Sequence, residues 1–118
     1  ALLDASALRE RLKPCQLPNV PGEAFCGTLD VWENRAAKTG RKIPLNIVVL
    51  AASDPKPEPD PLFAFAGGPG QAASDGAAGD AQRFGGIRQT RDIVLIDQRG
   101  TGRSNPLPCD LGTPQQIM

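Results

Sequence analysis

The sequence predicts an α/β fold in which an antiparallel hairpin is followed by a βαβ unit. Three observations carry this. Stretches 24–32 and 43–51 have the apolar patterning of strands and flank a charged, glycine-containing segment. Residues 92–97 (Asp-Ile-Val-Leu-Ile-Asp) hold four consecutive apolar residues, which is what a parallel strand buried on both faces needs. A second apolar run, 62–66, is separated from it by a glycine-rich loop and a helical stretch.

Taken in order, residues 4–13 carry Leu8 and Leu12 at i, i+4, with Asp4 or Ser6 as N-cap and Pro14 as the stop. They predict a short surface helix. In 24–32, Leu29 and Val31 alternate with polar neighbours, the pattern of a half-exposed strand. Residues 33–42 hold five charged side chains and Gly40 and form a solvated turn. Strand 43–51 follows, with Pro44 near its start, where proline is tolerated. Pro55, Pro57, Pro59 and Pro61 then alternate, so 53–61 is an extended, exposed connection. Residues 62–66 are a short apolar strand, and 67–79 hold five of the 13 glycines. Residues 80–89 predict a short helix carrying Phe84 and Ile87 at i, i+3. There is no internal repeat.

A length of 118 residues allows one domain. Leu, Ile, Val and Phe make up about 23% of the chain, just above the roughly 20% below which chains stay disordered, so the core is thin. Zero net charge removes the electrostatic footprint of a nucleic-acid binder. No apolar run approaches the roughly 20 residues needed to span a bilayer. The sharpest exclusion is the absence of histidine. The chain by itself assembles neither a Ser-His-Asp nor a Cys-His relay, and no metal centre is expected.

Cys15 and Cys26 flank a turn-rich segment containing Pro18 and Pro21, which allows them to meet in a disulfide. Two free thiols in a reducing compartment are the other reading. Cys109 is then the odd one, and in an oxidising compartment it points to a cysteine outside the chain. A start at Ala1, with no signal segment before it, is expected of a processed secretory chain and equally of a trimmed one.

Ala66-Gly67-Gly68-Pro69-Gly70-Gln71 lies between strand and helix, where open α/β sheets bind ligands. Three readings stand. Gly68, Gly70 and Ala73 satisfy the short dinucleotide pattern G-x-G-x-x-G/A, with Asp97 as the acid for the ribose hydroxyls. Alternatively, unshielded backbone N–H groups form an oxyanion hole, where glycine permits both the dihedrals and the close approach. The third reading is a plain turn. A Walker A loop is excluded, because no Gly-Lys-Ser/Thr follows.

The second motif, Asp97-Gln98-Arg99-Gly100-Thr101-Gly102-Arg103-Ser104, follows the buried strand directly. Alone it reads as a tight loop in which Arg99 ties carbonyls or Asp97. Together, the two motifs with a helix between them resemble the α/β-hydrolase fold, and in particular the proline iminopeptidase and tripeptidyl aminopeptidase group of serine peptidases. Cys26-Gly27-Thr28-Leu29-Asp30-Val31 and Glu33-Asn34-Arg35 are similar to the first strands of its secreted bacterial members, and the likeness runs on through Ser104-Asn105-Pro106-Leu107 to Cys109.

The resemblance implies a serine hydrolase, an aminopeptidase releasing short N-terminal peptides or proline. It implies that Gly68 gives a backbone N–H to the oxyanion hole, with Gly67, Pro69 and Gly70 shaping the loop. Asp97, Arg99, Gly100 and Ser104 match the structural loop after the fourth strand, not the triad. One departure is Ala66, where many members have a histidine that tethers the glycine loop. The nucleophile motif G-x-S-x-G is absent. Its nearest approach, Gly102-Arg103-Ser104-Asn105-Pro106, ends in a proline that prevents the required helix.

The expectation is therefore an N-terminal segment, 1–23, with a short helix, and then 24–118 as the first strands of a hydrolase domain that continues beyond the chain. The expected partners are the rest of that hydrolase and a peptide substrate, with no cofactor, no nucleic acid and no membrane. The expected location is secreted or periplasmic. In this fold the run 92–97 lies between 43–51 and 62–66, leaving 62–66 with an open edge. A dinucleotide-binding domain and a non-catalytic docking fragment are the alternatives.

Overall fold

The computed structural model describes residues 9–68 and 70–107. Its centre is one mixed five-stranded sheet: β1 (Lys13–Cys15), β2 (Ala24–Trp32), β3 (Lys42–Leu50), β4 (Leu62–Ala64) and β5 (Ile93–Ile96), in the order β1-β2-β3-β5-β4. β1, β2, β3 and β5 pair antiparallel in sequence across the sheet, and β4 joins β5 in parallel. Between β4 and β5 the chain forms a 3-10 turn (Ala73–Gly76) and two short helices, α1 (Ala77–Arg83) and α2 (Gly85–Arg88). Among the described residues, no helix is long and apolar enough to cross a membrane.

Two-residue periodicity divides the sheet into two apolar faces. Val48 and Leu50 of β3 join Ile93 and Leu95 of β5 on the face that meets Ala73, Ala77 and Ala81. Ile47, Val49 and Val94 turn the other way and pack with Leu12. The second half of β3 and all of β5 are thus covered on both sides, and their sequences run apolar without alternation for that reason. β2, with one neighbour on its flank reduced to three residues, keeps exposed positions from Thr28 to Asp30.

β1 was not expected. Residues 9–11 are helical, but the chain turns at Leu12 and Lys13–Cys15 add a strand to β2, so the helix of 4–13 does not extend to 13. Residues 1–8, the rest of that expectation, lie outside the described residues. The helix ends at residue 11, before the expected stop at Pro14, and Pro14 occupies an edge strand, where a missing N–H is tolerated. The disulfide between Cys15 and Cys26 joins β1 to β2, with the two Cα atoms 5.8 Å apart. Gly27 makes room for Leu12: a Cβ there would stand 2.6 Å from the Leu12 side chain.

The helical region also differs from the expectation. It begins at Ala73, not at 80, and breaks at Phe84. Its buried stripe is Ala73, Ala77 and Ala81, with Phe84 partly buried beside it, while Ile87 is exposed. Three alanines at i, i+4, i+8 let the helix lie close on the sheet, but carry too little hydropathy to stand out among glycines. The helix end is fixed by Arg88, almost fully buried, whose Nε donates to the Ala51 carbonyl and whose Nη1 and Nη2 donate to those of Pro21 and Glu23 (2.8, 2.7 and 2.9 Å). Burial lowers the Arg88 pKa, opposed by the neighbouring Asp92 charge.

The proline-rich connection runs along the chain leaving α2. The N–H groups of Ser53, Asp54 and Glu58 donate to the carbonyls of Arg88, Gln89 and Thr90, and Leu62 to that of Asp92. β4 is shorter than the apolar run 62–66. It leaves β5 after Ala64, and Phe65 and Ala66 are exposed.

Candidate functional site

The glycine loop and the loop after β5 come together at the carboxyl ends of the two parallel strands. β4 delivers residues 65–71 and β5 delivers 97–107, so both motifs open on the same end of the sheet. Gly68 and Gly70 both have φ of +87°, a conformation that L side chains rarely adopt. The Gln71 N–H donates to the Gly68 carbonyl at 3.2 Å, which closes a four-residue turn. Pro69, the remaining loop-shaping residue expected from sequence, lies outside the described residues. Gly67 and Gly70 face open space, and Gly67 and Gly68 are exposed. Among the described residues, neither the Gly67 nor the Gly68 N–H is used as a hydrogen-bond donor. A cavity of about 410 Å³ borders the loop, lined by Phe65, Ala66, Gln71, Asp75 and Asp80 among others.

Asp97 is fully buried, and its carboxylate is the hub between the two loops. It accepts hydrogen bonds from the Ser74 N–H (2.8 Å), the Ser74 Oγ (2.8 Å), the Asn46 Nδ2 (3.0 Å) and the Arg103 N–H (3.4 Å). Burial alone would raise its pKa, but the hydrogen bonds from Ser74, Asn46 and Arg103 outweigh it and hold the carboxyl below its ordinary value. Gly102, at φ +51°, lets the loop fold over this carboxylate. A Cβ on it would run into Asp97 and come within 2.7 Å of the Ala72 Cβ.

Ser104 is equally enclosed. Its Oγ donates to the Asp97 carbonyl (2.6 Å) and accepts from the Asn46 N–H (2.7 Å). A hydroxyl with both capacities satisfied and no exposure holds a loop and does not attack a substrate. Gly100, at φ +86°, donates its N–H to the Ser104 carbonyl (2.7 Å) and accepts from the Leu107 N–H (3.1 Å). Arg99 is exposed and reaches the Glu33 carbonyl at the far end of β2 (2.9 Å), so it ties a carbonyl and not Asp97. Arg41 adds a second tie from the β2–β3 turn, to Asn105 Oδ1 (2.7 Å), where Asn105 has φ of +54°.

Two features of the dinucleotide pattern are not met by this geometry. The carboxylate of Asp97 faces inward and is saturated with donors, leaving none for a ribose hydroxyl. Ala73 opens a 3-10 turn of four residues, not the long helix whose N-terminus receives a pyrophosphate. Among the described residues, no group of three or more His, Cys, Asp or Glu side chains is placed to hold a metal ion. Cys109 lies outside the described residues.

Sequence reasoning missed Asn46, Ala72 and Ser74. Asn46 had a readable signal: an amide inside the apolar run Leu45–Leu50 needs a buried partner. Ser74 had none, because a serine beside glycines and alanines is ordinary loop composition. No protein-family model matches the chain, and no curated protein matches it.

Proposed function

We propose that the chain is the N-terminal part of an exported serine hydrolase resembling the proline iminopeptidase and tripeptidyl aminopeptidase group, and that its glycine loop supplies half of the oxyanion hole. The observation that carries this is the pairing of the two motifs. The glycine loop leaves β4 and the Asp97–Ser104 loop leaves β5, at the same end of a sheet whose central order is β3-β5-β4. The Cys15–Cys26 bridge supports an oxidising compartment.

On this reading the Gly68 N–H, exposed and without an acceptor among the described residues, donates to the negative oxygen that develops as an acyl group is attacked. Losing one such donor costs about 2.7–4 kcal/mol of transition-state stabilisation. The serine, the acid and the histidine of the relay come from residues beyond these 118, since the sequence holds no histidine and no G-x-S-x-G. The substrate is a short peptide with a free amino end.

The test is a fluorophosphonate probe on the full-length protein, followed by mapping of the labelled residue. The expected result is one labelled serine within a G-x-S-x-G downstream of Met118, and no label within residues 1–118. An unlabelled full-length protein, or a continuation without that motif, overturns the proposal. A docking module is the second reading, favoured by β4, which among the described residues has a neighbour on one side only, and by the exposed Phe65 beside it. A stable partner chain seated on β4 in an unlabelled protein identifies that case.

A further inference from the structure

We infer that Asp97 is a positioning residue for the glycine loop: through Ser74 its carboxylate fixes the end of the loop opposite β4 and so aims the Gly68 N–H. The glycine loop is suspended between two anchors, and β5 provides both. The first is the parallel pairing of β4, which ends with Ala64 opposite Leu95. The second lies two residues past that position on the β5 side, where Asp97 takes both the N–H and the Oγ of Ser74. Gly67, Gly68 and Gly70 lie between the two anchors, and glycines add little stiffness of their own.

Asp97 is itself held from three sides, two of them at the carboxylate and one at its backbone carbonyl. Asn46 Nδ2 reaches it from β3, the Arg103 N–H from the following loop, and the Ser104 Oγ fixes the Asp97 carbonyl. Ser74, by contrast, has no side-chain partner other than Asp97 among the described residues. Asp97 therefore imposes a position on Ser74, and Ser74 passes it to Ala72 and Gln71, whose N–H closes the turn on Gly68. This tether also answers the departure at Ala66, an exposed residue that offers the loop no side-chain anchor.

The catalytic half of this inference rests on the oxyanion-hole reading, whereas the anchoring half does not. The test uses the full-length protein with Ser74→Ala and Asp97→Asn, read by hydrogen exchange over residues 65–76 and by steady-state peptide hydrolysis. Ser74→Ala removes one hydrogen bond and leaves the buried carboxylate three donors, so it keeps the fold if Asp97→Asn does not. Expected is about three- to tenfold faster exchange at 65–76 in Ser74→Ala, with 92–97 unchanged. Also expected is a fall in kcat of about tenfold or more at unaltered KM, because an oxyanion donor acts in the transition state. Faster local exchange in a protein without hydrolase activity upholds the anchor and removes the oxyanion reading. Exchange that is unchanged, or raised equally at 92–97, overturns the anchor. An active enzyme whose kcat is unmoved by either variant overturns the positioning role.

Discussion

Arg9 and Asp92, 83 positions apart, form a bidentate ion pair in which Nε and Nη2 donate to the two carboxylate oxygens at 2.9 and 2.5 Å. Asp92 is fully buried at the start of β5, and its third donor is the Ala52 N–H at 2.7 Å. The pair therefore pins the segment before β1 to the strand that anchors both loops. Arg9→Ala leaves a buried carboxylate with one donor. Breaking a fully buried pair costs about 3–5 kcal/mol, and the partial exposure of Arg9 reduces this to about 2–3 kcal/mol. Urea denaturation of the full-length protein is the measurement. Asp60→Ala, which breaks the exposed pair with Arg91, is expected to leave the midpoint nearly unchanged.

Asp97 makes stability depend on acid in a definite direction. Its folded pKa lies below the ordinary value of 3.8, so as pH falls the unfolded chain takes up the proton first. The stabilisation from Asp97 is complete above that value and disappears as pH drops below it toward the folded pKa. Asp97→Asn is expected to lower stability at neutral pH and to flatten the part of the acid limb below pH 3.8. Parallel acid limbs for wild type and variant would contradict the assignment.

Two Gly→Ala substitutions are expected to move stability in opposite directions. Gly102→Ala puts a Cβ into the Asp97 carboxylate and against Ala72 at a left-handed φ, and costs about 2–4 kcal/mol. Gly79 lies in α1 with nothing within 4 Å of an added Cβ, and there alanine gains about 0.5–1 kcal/mol by stiffening the unfolded chain. Thermal melts of the two variants beside wild type decide the matter.

The disulfide is expected to be a stabilising link and not a dispensable one. Cys15→Ser with Cys26→Ser loosens the three-residue strand β1, which is then held by its backbone pairing, by Leu12 seated over Gly27 and by the Arg9–Asp92 pair upstream. The expected loss is about 2–3 kcal/mol. Mass spectrometry with and without reductant reports the bond, and a melting temperature insensitive to reductant would remove the stabilising role.

The strands were readable because burial on both faces leaves an uninterrupted apolar run, as at Ile93–Ile96, whereas the alternation at Leu29 and Val31 marked a strand without marking a buried face, since Leu29 is exposed. β1 was hidden because Lys-Pro-Cys carries neither pattern, and its place depends on a cysteine 11 positions away. The helix start was hidden because alanine buries well but signals weakly. At the site, the glycines and Asp97 stood out by composition and spacing. The link between them did not, since it passes through Ser74 and Asn46, whose roles are set by strand order and by no local pattern.

β4 gives the last expectation. Among the described residues it pairs with β5 on one flank only, it carries the half-buried Leu62 and Phe63, and it is followed after Ala64 by Phe65, which is 77% exposed. An apolar strand with an unpaired row of N–H and C=O groups is a template for another chain. The 118 residues expressed alone are therefore expected to self-associate, with a sedimentation coefficient that rises with concentration. Phe65→Lys places a charge beside the open edge without entering the core, and is expected to shift the distribution toward monomer. A wild-type chain that sediments as a compact monomer and unfolds cooperatively would show that the edge is protected, and with it that β4 needs no further neighbour.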